Sequence, residues 1–239
     1  MDLGRAERVM RGRLVGQHQA GGVTFLDPER VFLGMDVSLG QDVTIGLDVA
    51  LHCSTTIADN VTIDGPTIII DSQIASDVRI AHFSHLERTR VATGAGVGPY
   101  ARVRANATLG AGSYVGNFVE VKSSTLADGA KVGHLSFIGD AQLGARANIG
   151  GGTITCNYDS VNKHQTAIGA GAFVGSNNTL VAPVKVGEGS FTAAGSTITK
   201  DVEPGDLAFG RARQAVVECG GKALRERLLR EKAAKDPIC

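Results

Sequence analysis

The sequence predicts an all-β chain wound as a three-sided parallel β-helix of hexapeptide repeats, with a short helix at each end. Three observations predict it. Aliphatic residues recur every six positions over most of the chain. Glycine is abundant, with 32 residues, and often directly follows the aliphatic. Aromatics make up only 5% and Trp is absent, so the core has to be filled by Val, Ile, Leu and Ala in thin repeated layers.

Leu33, Leu39, Ile45, Leu51, Ile57, Ile63 and Ile69 fall six apart, with Gly34, Gly40 and Gly46 directly after the first three. The register slips by one at Ile74 and at Val91, then runs through Val97, Val103, Leu109, Val115 and Val121. A last run is Ile168, Val174, Leu180, Val186, Thr192 and Ile198. A period of six matches neither the 3.6 of an α-helix nor plain strand alternation. It fits a short strand followed by a glycine-bearing corner. Three such sides close a coil of about eighteen residues, and stacked coils pair as parallel strands roughly 4.8 Å apart.

The elements follow in order. Residues 1–27 form an N-terminal helix and linker: 4–20 have a helical pattern ahead of a turn at Asp27-Pro28. Residues 28–204 form the prism. Within 31–97 the repeat is architecture and says nothing of chemistry. Residues 205–239 form a C-terminal arm and helix. Their segment 221–235 is charged, with Leu224, Leu228 and Leu229 on one side, and is expected to cap the open strand edges of the last coil.

Basic and acidic residues balance at 24 each, so bulk charge argues for neither a nucleic-acid nor a membrane partner. No apolar run approaches the ~20 residues of a membrane span, and the N-terminus lacks a signal-peptide core. Cys53, Cys156, Cys219 and Cys239 show no paired or metal-type spacing, which reads as reduced thiols in a cytoplasmic protein.

Outward positions carry the chemical information. Arg104 follows the inward Val103 and Lys122 follows the inward Val121, one full coil later. They should stand one above the other on the same edge, where two bare cations about 5 Å apart repel by roughly 1 kcal/mol even in water. Two readings stay open: both lean into solvent, or an anion lies between them, for which phosphate suits Arg and Lys best. His134, two past the inward Val132, is a lone surface imidazole of the kind that usually has no role. Near a stacked cation pair it becomes a candidate for proton transfer at neutral pH.

From Ile149 to Ile168 is nineteen residues, one more than a coil, and 156–165 offers no hexad aliphatic other than Val161. This stretch reads as a loop thrown off the prism, with a tolerated insertion as the plain alternative. It carries Asn157, Tyr158, Asp159, Asn162 and Lys163, rich in hydrogen-bond donors, and loops on rigid scaffolds are where function concentrates. His82 and His85 have a spacing that metal ligands sometimes use, but the register places no third ligand. The glycines of GAGVG and GAGAFVG are corner residues without a following helix, not a phosphate loop.

At ARVR, GNFVEVK, GHLSFIGDA, NIGGGTITCNYD, NKHQTAIG, FVGSNNTLVAPVKVG and TAAGSTITKDV, in this order, the chain resembles a known family. It is the acetyltransferase half of the bacterial bifunctional enzymes that make UDP-N-acetylglucosamine. The likeness is dense from about Gly98 to Gln214. It implies a left-handed coil, acetyl-CoA as co-substrate without a metal, glucosamine 1-phosphate as acceptor, and a homotrimer whose sites are shared between prisms. The resemblance also implies roles: His134 as general base; Arg104, Lys122, Asn148 and Lys163 on the sugar phosphate; Phe137 in the acceptor pocket. Gly151, Asn157, Tyr158, Ser176, Ala194 and Arg211 would hold acetyl-CoA. Backbone amides of 150–152 are the expected oxyanion donors.

The chain departs from the family pattern in places. Phe137 stands where Tyr is usual, which removes one hydroxyl at a cost of about 1 kcal/mol in sugar binding. Gly151 stands where Ala is common, a change expected to matter little if the backbone makes the contact. Ala105 replaces a common Pro and Ser160 a usual Gly. No counterpart of the uridyltransferase half precedes the prism, so uridylyl transfer and its Mg²⁺ are not expected of this chain. Competing readings are acetylation of another amino-sugar phosphate, a non-catalytic trimeric scaffold whose C-terminal helix binds a partner, and a metal-dependent hydratase. The last would need three His at a subunit interface, for which His52, His82, His85 and His134 are poorly placed.

Overall fold

In the computed structural model, which describes residues 2–235, the chain winds into a prism with three parallel sheets as its faces. The first face has eleven strands, the second ten and the third nine, each strand pairing with the one a coil earlier and a coil later. Strands begin at Thr24–Phe25 and end at Leu207–Ala208, so the coil starts before residue 28 and continues past 204. The hexad aliphatics point inward: Ile45, Leu51, Ile63, Ile69, Leu109, Val121 and Leu180 are all fully buried. Each contributes roughly 1.5–3 kcal/mol of burial.

The slips in the repeat have a local cause. Ile74 pairs with Val91, and Leu126 with Leu143, seventeen residues on rather than eighteen. A missing residue leaves a backbone N–H without its carbonyl partner, which is costly in the interior. A buried hydroxyl replaces the partner: Ser72 Oγ accepts from Thr89 N at 3.2 Å, and Ser124 Oγ from Ala141 N at 2.9 Å.

The hexad glycines are needed for close approach rather than for a left-handed backbone. A Cβ on Gly150 would lie 2.5 Å from the amide N of Ser176 in the next coil. The left-handed corner positions are instead held by residues such as Asp48, Tyr100, Phe118 and Leu135.

The two ends differ. Helix α1 (Leu3–Ala20) starts at Asp2, whose side chain accepts from Gly4 N, and it buries Val15 against the first coil. Helix α2 (Gly220–Lys235) does not cap the last coil: Leu224, Leu228 and Leu229 are 48%, 51% and 59% exposed. Its charged and apolar residues are interspersed around the helix, so no continuous stripe exists to dock. Among the described residues no helix is long and apolar enough to cross a membrane. Cys53, Cys156 and Cys219 are free thiols, and Cys239 lies outside the described residues.

Candidate functional site: two edges of one face

The second face carries the candidate residues on its two edges. Val103 pairs with Val121, and Arg104 N donates to the Val121 carbonyl, so Arg104 and Lys122 stack where the second face turns into the third. The pair is not bare. Arg104 Nη1 donates to Glu120 Oε1 at 2.7 Å. The Lys163 ammonium lies against Lys122 and, with desolvation and the nearby Arg104, lowers its pKa; Asp140 opposes the shift. Three cations and two carboxylates therefore share this edge. Glu120 and Asp140 were not legible as partners, although Glu120, two before Lys122, occupies the neighbouring outward column and so could have been paired with Arg104 from the register.

The loop that brings Lys163 here is longer than the spacing suggests. Ile149 belongs to the first face and pairs with Val174, not with Ile168, which belongs to the third face and pairs with Leu143. The coil containing the loop is thus twenty-five residues long, against eighteen from Val174 to Thr192. The inward position of its second-face strand, Ile154–Cys156, is the buried Thr155, and Val161 is 79% exposed rather than inward. Asn157 and Tyr158 leave this strand on the cation edge, and Asn157 Nδ2 donates to Asp140 Oδ2 at 2.5 Å.

His134 stands on the opposite edge. It ends the first-face strand Lys131–His134, and the chain then turns into the second-face strand Phe137–Gly139. The imidazole is therefore one coil above Lys122 but across the face from it, at the other end of the strand. Phe137 lies between: a Cβ on Gly139 would meet its ring at 2.7 Å and Asn157 Nδ2 at 2.9 Å, so the ring leans toward the cation edge.

Above His134 the corner is emptied of side chains. Gly151, Ser176 and Ala194 follow it one per coil, tied by Gly152 N to Leu135 O, Asn177 N to Gly151 O and Gly195 N to Ser176 O. Arg211 reaches the top of this track, its Cδ 4.0 Å from where a Cβ on Gly195 would be. The glycine at 151 matters more than its backbone role implies: a Cβ there would fall 2.4 Å from His134 Nε2. The imidazole rests on Gly151, and a methyl group would have to displace it. The N–H groups of Gly150 and Gly152 donate to Val174 and Leu135, so only that of Gly151 is left for a ligand.

Asn148 sits on neither edge. It pairs with Lys131 and Phe173 on the first face, around the corner from Phe137. The residues that resemblance assigns to one acceptor site are thus divided between two faces of the prism. His82 lies by Asp64, its Nδ1 3.7 Å from Oδ2, while His85 stands on the second face paired with Arg102. Among the described residues no group of three or more His, Cys, Asp or Glu could hold a metal.

Comparison with known proteins finds relatives of this chain. Residues 165–200 match the hexapeptide repeat of succinyl-transferase. The chain is 47% identical over 225 residues to the bifunctional protein GlmU of Azorhizobium caulinodans, covering 94% of this chain and 46% of that one. It is 49% identical over 235 residues to GlmU of Rhizobium rhizogenes, covering 98% and 48%. The chain thus spans about half the length of the curated relatives it matches. A solved UDP-N-acetylglucosamine acyltransferase from Francisella novicida aligns over 83% of this chain and 72% of that one, at 18% identity and a TM-score of 0.43.

Proposed function

Because the chain is a homologue of the acetyltransferase half of the bifunctional GlmU proteins, we propose that it acetylates glucosamine 1-phosphate from acetyl-CoA. The product, N-acetylglucosamine 1-phosphate, feeds UDP-N-acetylglucosamine synthesis and hence peptidoglycan, in the cytoplasm. The observation that carries this reading is the division of the second face into a cationic edge and an imidazole edge with an aromatic ring between. An amino sugar lying across Phe137 places its phosphate at Arg104, Lys122 and Lys163 and its amine toward His134.

The amine attacks only when unprotonated, so His134 accepts its proton as the nitrogen bonds to the thioester carbonyl carbon. The developing oxyanion is met by the Gly151 N–H, and collapse breaks the C–S bond, coenzyme A leaving as a thiol once its sulfur takes the proton that His134 had accepted. The cations fix the acceptor, which makes the attack nearly unimolecular. The track over Gly151, Ser176 and Ala194 toward Arg211 accommodates an extended acetyl-CoA arm, because side chains there are absent or small.

Asn148 on the first face, and Asn157 and Tyr158 across from the track, join one site only if a second prism faces the first. A homotrimer with shared sites supplies that partner. Phe83, Tyr100 and Phe118 stack along the His134 corner with ring centroids 4.7 and 5.2 Å apart and stay about half exposed, apolar surface of the kind that copies bury.

Thiol release from acetyl-CoA, measured with glucosamine 1-phosphate, its galacto epimer and unphosphorylated glucosamine, tests the reading. Turnover is expected to be highest with the first; no release and no calorimetric binding of acetyl-CoA would leave a non-catalytic scaffold. Phe137 favours one alternative, a different amino-sugar phosphate, which the epimer arm decides.

A further inference from the structure

Three like-charged side chains do not gather on a surface by themselves; mutual repulsion drives the most mobile one into solvent. Arg104 and Lys122 are fixed by adjacent strands, but Lys163 sits on a loop, and the loop has no apolar anchor, with Val161 and Tyr158 exposed. Its shape is set by hydrogen bonds, and these converge on one residue. Asp159 Oδ1 accepts from Val161 N at 2.8 Å and from Asn162 N at 2.6 Å. Asp159 Oδ2 lies 2.7 Å from His164 Nε2. Around it, Asp159 N donates to Asn162 O, His164 N donates to Asn157 O, and Tyr158 and Lys163 form an antiparallel bridge.

We infer that Asp159 is a positioning residue for the acceptor's phosphate: it closes the 157–165 loop into a hairpin that holds the Lys163 ammonium against Lys122. The inference rests on the proposed reading of the cation edge as the phosphate site. The hairpin is pinned at its base by the Asn157–Asp140 hydrogen bond, and its tip turns at Ser160, which takes a left-handed φ of 84° without being glycine. Such a backbone persists where its surroundings over-determine it. The Asn162 N–H first, then His164 and the Val161 N–H, hold the Asp159 carboxyl well below the usual carboxylate range. The clasp is therefore fully formed above the ordinary carboxylate pKa and is lost only as pH falls far below it.

The test uses the full chain with Asp159→Ala, Asp159→Asn, Lys163→Met and the Asp159→Ala/Lys163→Met double variant. Asp159→Ala should raise the KM for glucosamine 1-phosphate about 10–100-fold, the worth of one charge-assisted hydrogen bond. The KM penalty should vanish with unphosphorylated glucosamine. The double variant should be no worse than Lys163→Met alone, since both remove the same contact. Asp159→Asn keeps an acceptor for the two N–H groups and should lose less.

Independently of turnover, NMR titration of the unliganded protein should show the Lys122 pKa rising toward its ordinary value both in Asp159→Ala and in Lys163→Met. Losses that multiply in the double variant, or a Lys122 titration moved by Lys163→Met but not by Asp159→Ala, would overturn the assignment. The titration needs no acceptor, so it decides the role of Asp159 even where the proposed substrate fails.

Discussion

The two edges of the second face are built on the same coils, yet they differ in nearly every side chain. The cation edge crowds Arg104, Lys122, Lys163, Glu120 and Asp140 together, three cations tempered by two carboxylates. The imidazole edge carries one titratable ring above a track of Gly151, Ser176 and Ala194, with Arg211 at its upper end. The prism supplies a constant backbone, and function is written by what stands one column to either side. An edge of small residues admits a long ligand to the backbone, whereas a crowded, charged edge recognises an anion through paired side chains. On the proposed reading, the distance between them, one strand, is what a phosphorylated amino sugar would bridge.

The sharpest way to break this contrast is to remove the imidazole. His134→Ala should lower turnover about 10²–10⁴-fold while the KM for acetyl-CoA changes little, in steady-state thiol-release kinetics. Near-normal turnover would empty that edge of its assigned chemistry. On the other edge, Lys122→Met should act on the acceptor alone: a KM for glucosamine 1-phosphate about 10–100-fold higher, and no loss with unphosphorylated glucosamine.

Proton uptake sharpens the same division. Lys163, pressed against Lys122, lowers its pKa, and a bound phosphate favours the protonated amine and raises it again. Binding of inorganic phosphate should therefore take up protons in a pH window below the ordinary lysine value, seen as a buffer-dependent enthalpy in calorimetry. Lys163→Met should move that window upward. The smallest effect is expected between the edges: Phe137→Tyr returns a hydroxyl to the face and should lower the acceptor KM by up to about fivefold, roughly 1 kcal/mol.

The prism itself was legible because its cause is local and repeated. Inward aliphatics six apart can all be buried in only one way, and Leu33 through Ile69 found the core that their spacing predicts, Leu39 only in part. The stacking of Arg104 on Lys122 was legible for the same reason, since both are read from the register of Val103 and Val121. The position of His134 relative to them was not. Counting coils gives height along the prism, but which of three edges a residue occupies depends on where each corner falls, and one-residue slips move the corners.

The loop failed to read for a related reason: Ile149 and Ile168 lie on different faces, so the residues between them could not be measured against one period. The failed cap has another cause. The leucines of α2 suggested a docking face, but they stay about half exposed and cover nothing.

By itself the sequence determined the coil, its inward contents and the outward column of each hexad residue, because period and burial are properties of neighbouring positions. Tertiary structure alone decided that the imidazole and the cations face each other across a ring, that Asp140 tempers the charge, and that Asp159 holds Lys163 in place. Those relations join residues from different coils through hydrogen bonds and Coulomb forces, which act over ångströms in space and leave no periodic trace along the chain.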